Sequence, residues 1–326
     1  MRRRDFITLL GGAAAWPLAA RAEPERMPRV SVLLSRAEST TEARGLTVLR
    51  GELRRLGWEE GRNIRIDHRS ASDATRMQQF ATELVALRPD VIIAQNTATT
   101  ASMLQQTRAI PIVFVAVTDP IGSGFIASLP RPGGNVTGFI DLEGSLGSKW
   151  LQLLKDIAPR VGRAAFLFNP AMAPYAEYYL GPFKAAAVSL SVEATAAPVR
   201  DASEIESIIA IQARAPDAGL VIMPDAFTNV HRAEITSLAL RYRLPAVYPY
   251  RSDAQLGGLL SYGNDPLDNY RLAATYADKI LRGVKPSELP VQTPVKFELV
   301  INLKTAKALG LNVPATLIAS ADEIIE

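Results

Sequence analysis

The sequence predicts an α/β protein of two αβα lobes of similar size, joined by three crossings of the chain. Three observations lead there. Short apolar runs alternate with amphipathic segments from Pro28 onward; a proline- and glycine-rich break spans residues 128–144, after which the alternation restarts; and a tail from about residue 258 does not simply extend the second series. Repeated strand–helix alternation implies a parallel sheet with helices on both faces.

In chain order, "RVSVLLS" is strand-like, and residues 42–56 carry apolar side chains at 46, 49, 53 and 56, the spacing of one helix face. "NIRIDHR" alternates as a strand, residues 74–87 are helical, and "DVIIAQ" and "IPIVFVAVT" are strands around a helix starting near Thr97. The break at 128–144 encloses one short strand. Beyond it, "RAAFLFN", "VEATAAP", "AGLVIMP" and "LPAVYPY" are strands, accompanied by helical segments at about 144–158, 174–188, 201–213 and 227–241. "GGLLSYGND" is a strand with turn residues, residues 266–281 form a helix with Gly283 as its stop, and "PVKFELVINLKTAKALG" is a strand followed by a helix. If the helix at 266–282 packs back on the first half, the chain crosses between lobes three times, and three crossings make a hinge.

The first 22 residues, "MRRRDFITLLGGAAAWPLAARA", have the form of an export signal: an arginine cluster, an apolar run too short to span a bilayer, and a small-x-small site at Ala20 and Ala22. Arg3-Arg4-Asp5-Phe6 fits the twin-arginine type, which exports folded proteins. Cleavage after Ala22 is expected, with a periplasmic mature protein. That segment carries four of the 36 basic residues and one of the 33 acidic ones, so the remainder is formally neutral. No basic stripe suggests a nucleic-acid partner. The chain has no cysteine, which excludes disulfides, thiol nucleophiles, thiolate metal sites and a lipid-anchor cysteine.

Ligands of open parallel sheets collect beyond the carboxyl ends of the strands, where helix N-termini point their free N–H groups. The residues there are Ser35; Asn96 with Thr97, Thr99 and Thr100; Thr118 with Asp119; Asn169; Asp225; and Tyr248 with Tyr250. Helix capping explains any one of them; as a set they fit a cleft. Asn96 and Thr97, with N–H groups of the following helix, are expected to receive a ligand carboxylate, and Asp119 or Asp225 an amino group or hydroxyl. Tyrosines concentrated in the second half favour an aromatic or otherwise apolar ligand body.

Catalytic patterns are weak. "GSGFIA" matches a dinucleotide-binding pattern, with Asp141 near the expected acidic position, but Asp119-Pro120 separates it from the strand and Pro130 and Pro132 cut the helix short. There is no G-x-S-x-G elbow, His68 and His231 are dispersed, and no cluster suggests a metal. No cofactor is expected.

The segments "LGWEEGRNIRID", "IPIVFVAVTDPIGSGFIASLPRPGGNVTGF", "KWLQLLKDIAP", "LFNP", "MPDAF" and "KFELVINLKTAKALGLNVP", with the N-terminal signal, carry a resemblance over nearly the whole chain. It resembles the ABC-transporter substrate-binding proteins related to the tryptophan/tyrosine-binding type, with the periplasmic-binding-protein type I fold. The resemblance implies two Rossmann-like αβα lobes joined by three strands, which close on a small ligand and deliver it to a membrane permease. It implies a cleft lined by Asn96, Thr97, Thr118, Asp119, Asn169, Asp225 and Tyr248, with no catalytic residue. The expected lobes are residues 28–142 with 262–293, and 143–261 with 294–326, in a monomer. At "VIIAQNTATT" the family more often has a glycine and a proline, and Gln95 and the threonines depart from it. The alternatives are a secreted hydrolase on the same architecture, using Asp119 or Asp225, and a transcription regulator, whose DNA-binding segment would stand where the export signal is.

Overall fold

The computed structural model describes residues 26–35, 40–71 and 73–326; the segment expected to be an export signal lies outside them. The first series runs β1 (Arg29–Leu34), α1 (Thr40–Arg55), β2 (Arg65–Ser70), α2 (Ala74–Ala86), β3 (Val91–Gln95), α3 (Asn96–Gln106), β4 (Ile112–Val117) and β5 (Val136–Ile140). The second runs α4 (Leu146–Ile157), β6 (Arg163–Phe168), α5 (Ala176–Leu190), β7 (Glu193–Pro198), α6 (Ile205–Gln212), β8 (Ala218–Ile222), α7 (Ala226–Val230), α8 (Arg232–Arg241), β9 (Ala246–Tyr248), α9 (Arg251–Gln255) and β10 (Leu260–Gly263). The tail adds α10 (Pro266–Leu281), β11 (Glu298–Asn302), α11 (Leu303–Ala308), α12 (Ala315–Ser320) and β12 (Glu323–Ile325).

Two sheets result, in the orders β2-β1-β3-β4-β5 and β12-β11-β10-β9-β8-β6-β7. Taken from its own first strand, each lobe repeats one doubly wound order. All pairings are parallel except that of β10 with β11. Strand periodicity builds the layers: Val30, Val32 and Leu34 of β1 face α1 and α10, while Leu33 faces α2 and α3. In the second lobe Phe166 packs with Trp150 of α4 and Phe183 of α5, whereas Ala165 and Leu167 meet Ile205 and Ile235 on the other face. Full burial of a side chain such as Leu167 stabilises by about 1.5–3 kcal/mol.

The chain crosses between lobes at residues 141–145, 264–265 and 293–297, because α10 packs on β4, β5 and α1 of the first lobe. Asp265 caps its first turn by accepting the Leu267 N–H, Pro266 occupies its first position, and Gly283 at φ +99° ends it. β10 runs through Gly263, two residues past the expected boundary. There a Cβ would stand 1.9 Å from the Pro249 carbonyl oxygen, which requires glycine at the lip of the second crossing.

Two expectations change. The helix expected at 227–241 is two helices broken at His231, since the Asp225 cap starts α7 early and α8 begins anew at Arg232. The short elements α9, α12 and β12 are too brief for periodicity to reveal them. Among the described residues no helix is long and apolar enough to cross a membrane.

Candidate functional site

A cavity of about 530 Å³ opens between the two sheets, with walls from both lobes and from the crossings. That volume suits a small organic ligand. It lies at the switch points of both sheets, where strand order reverses between β1 and β3 and between β6 and β8.

The two switch points are stapled alike. In lobe 1 the Gln95 side-chain oxygen accepts the Ser35 N–H at 3.0 Å and the Ser35 hydroxyl at 2.7 Å. In lobe 2 Asp225 Oδ2 accepts the Asn169 N–H at 3.0 Å, while its Oδ1 accepts the Thr228 N–H at 2.8 Å. With Gln95 Oε1 doubly engaged, the amide orientation is set and its NH₂ is left to donate.

Of the expected residues, Asn96, Thr97, Thr118 and Asp225 line the cavity; Asp119, Asn169 and Tyr248 take no part in its wall. Asn96 sits at φ +70°, a left-handed conformation that asparagine tolerates, and its Oδ1 accepts the Ala98 and Thr99 N–H groups. Asn96 Oδ1 thus engages the Ala98 and Thr99 N–H groups and not that of Thr97. The threonine cluster spends its hydroxyls internally: Thr99 on the Gln95 carbonyl, Thr100 on the Asn96 carbonyl, and Thr97 on the Thr118 backbone. Asp119 caps Gly122, the Asn169 side chain holds its own turn and the Arg200 carbonyl, and Tyr248 is buried in the core of lobe 2. A bulge between Val115 and Val117 turns Ala116, at φ +55°, into the lobe 1 wall.

The strand-end reading of the sequence left the most telling cavity residues out. Asp141, 6% exposed, stands at the end of β5 on the first crossing. Its Oδ2 accepts the Tyr250 hydroxyl at 2.5 Å, and its Oδ1 is buried without a partner. Asn264, on the second crossing, also presents a buried, unpartnered Oδ1, and both residues line the cavity. Burial raises the Asp141 carboxyl to about 6 despite the Tyr250 hydrogen bond. Burial likewise raises Asp225 to about 6 against the Thr228 and Asn169 N–H groups. The strand-end rule reaches Asp141 and Asn264 once it is extended to β5 and β10, whose chains leave for the other lobe instead of entering a helix of their own.

Tyr175, Met172, Tyr250 and Leu267 give the cavity apolar surface, and Gln95, Ser35, Asn229, Arg232 and Ser252 give it polar surface. Burial holds the Tyr175 and Tyr250 hydroxyls well above the usual phenol range, so both are neutral donors. Among the described residues no three of His, Asp and Glu form a metal site. His231 is 3.2 Å from Glu234, and burial lowers His68 on the edge strand β2; neither lines the cavity.

The model of the ABC transporter substrate binding proteins matches residues 30–325. The tyrosine-binding protein of Clostridioides difficile is 27% identical over 256 residues, which are 78% of this chain and 73% of that protein. A conserved domain protein from Vibrio cholerae superposes with a TM-score of 0.84 at 27% identity, covering 92% of this chain and 100% of the other. An ABC domain in complex with L-Trp from Streptococcus pneumonia superposes with a TM-score of 0.84 at 23% identity, covering 91% and 99% of the two chains, and shares the fold.

Proposed function

This chain belongs to the family of ABC transporter substrate-binding proteins, and from that premise we propose that it binds an α-amino acid with an apolar side-chain body. Hinge closure of the two lobes then traps the ligand for delivery to the permease. The observation that carries this reading is the pair of buried, unpartnered oxygens, Asp141 Oδ1 and Asn264 Oδ1, in the cavity wall. A buried acceptor without a donor is costly, and an ammonium group supplies donors and the charge that Asp141 lacks a partner for. The α-carboxylate goes to the lobe 1 wall, to the Gln95 NH₂ and the Thr97 N–H at the N-terminus of α3, whose dipole favours an anion. Tyr175 and Tyr250 flank the ligand body. The relatives that bind tyrosine and L-Trp support the amino-acid class.

Calorimetric titration tests this with L-phenylalanine, with 3-phenylpropionate, which lacks the amine, and with phenethylamine, which lacks the carboxylate. The amino acid should bind about a hundredfold more tightly than either, as hydrogen bonds to charged groups contribute roughly 1.5–3 kcal/mol each. Equal binding of 3-phenylpropionate, or a preference for sugars, would remove the ammonium site. Ligand recovered chemically altered would favour the hydrolase alternative. The same titration at pH 5 should give about tenfold weaker binding than at pH 7, since a carboxyl near 6 becomes mostly protonated over that range. The unliganded protein should respond with the opposite sign. A folded-state value raised above the unfolded one stabilises below the unfolded value and loses that stabilisation as pH rises through 6.

The export signal read in residues 1–22 makes the receptor extracytoplasmic. An intact mass beginning at Glu23 is expected for protein recovered from the periplasm; a mass retaining the arginine cluster would count against cleavage.

A further inference from the structure

We propose that the lobe 2 wall of the cleft carries a second anion subsite centred on Arg232, so that the ligand is an amino acid whose side chain ends in an acidic group. The inference rests on the amino-acid reading above and narrows it.

It comes from the charges that line the cavity and how each is engaged. Arg251 is neutralised by Glu323 at 2.5 Å and by Glu298 at 3.5 Å. Asp265 caps α10 and lies 3.8 Å from Arg271, and Asp225 is taken up by two backbone N–H groups. Arg44, on α1, is exposed. Asp141 and Arg232 remain. The Arg232 guanidinium is half-buried; Nε donates to the Asn229 carbonyl and Nη1 to the Ser252 hydroxyl, both at 2.9 Å, and the buried Asp253 of α9 acts on it through space without a direct ion pair. It forms no ion pair with a carboxylate among the described residues.

A guanidinium has five donors in a planar fork that matches a carboxylate. Two are used to fix the plane, and the rest are available at the cavity. With the ammonium on the crossings and the α-carboxylate on the lobe 1 wall, Arg232 on lobe 2 meets the far end of the side chain. A ligand with one cationic and two anionic groups satisfies all three places. A ligand with an uncharged side chain offers the remaining Arg232 donors no acceptor on closure, with Asp253 acting on them only through space, which costs affinity.

The test compares L-phenylalanine with 4-carboxy-L-phenylalanine by calorimetry, on the wild type and on Arg232→Gln. The wild type should bind the carboxylated probe at least tenfold more tightly. Arg232→Gln should abolish that preference, with phenylalanine bound at least as tightly as by the wild type. Equal binding of the two probes by the wild type overturns the proposal without recourse to the variant. So does an equal loss for both probes in Arg232→Gln, which would assign the guanidinium to the α-carboxylate. Preferential binding of phenylalanine overturns the second anion subsite and leaves the amino-acid reading standing; binding of neither probe overturns both.

Discussion

Asp141→Asn is expected to weaken amino-acid binding at least about a hundredfold while leaving the unliganded protein as stable as before, or more so. The carboxylate is buried, its Oδ1 has no partner, and its raised proton affinity shows that the charge is unfavourable in the empty protein. Asparagine keeps an oxygen for the Tyr250 hydroxyl, so the crossing stays tied to lobe 2. What disappears is the negative charge proposed to face the ligand ammonium. Removing one partner of a buried charge pair costs about 3–5 kcal/mol, and 3 kcal/mol is already more than a hundredfold in the dissociation constant. Calorimetry reads the affinity and thermal unfolding reads the stability. Unchanged affinity would take Asp141 out of the binding site, and a lowered melting temperature would make its role structural.

Asp225→Ala should do the reverse, lowering the stability of the unliganded protein by about 2–4 kcal/mol. Asp225 is 4% exposed and has the same raised value of about 6 as Asp141, for the same reason, burial. The difference lies in what each carboxylate holds. Asp225 accepts the Asn169 and Thr228 N–H groups, so alanine leaves two buried donors unsatisfied, at about 1–3 kcal/mol each, with partial relief from losing a buried charge. For a lobe of this size the melting temperature should fall by roughly 5–10 °C. A melting temperature within a degree of wild type would show that the staple between the ends of β6 and β8 contributes little.

This pair marks how far the sequence could be read. Apolar spacing along residues 46–56 and 266–281 found α1 and α10, and alternation in "RVSVLLS" and "DVIIAQ" found central strands, because those signals are local. The strand-end rule brought out Asn96, Thr97, Thr118 and Asp225, which do line the cavity. It could not separate a residue that faces the cavity from one that holds a turn, since Asn169 and Asp225 are both ordinary capping types. Asp141 and Asn264 escaped because each ends a strand whose chain departs for the other lobe, and in the sequence such a place looks like a linker. Whether Arg232 has an acidic partner depends on contacts between helices α8 and α9, and no spacing along the chain encodes that.

The return of α10 to the first lobe has a consequence for synthesis of the protein. Tyr270, Ala273 and Ala277 cover the same sheet face as Val30, Val32, Ile93 and Val115, yet they emerge from the ribosome long after those strands. At roughly 5–20 residues per second, the gap between β5 and the end of α10 lasts on the order of ten seconds. During that interval the nascent N-terminal half carries an uncovered apolar face, the kind of surface that chaperones bind. The second sheet is no better off, since its outer strand β12 occupies residues 323–325. The first lobe is thus complete only once α10 has emerged, well after the strands it covers, and the second later still, once β12 has.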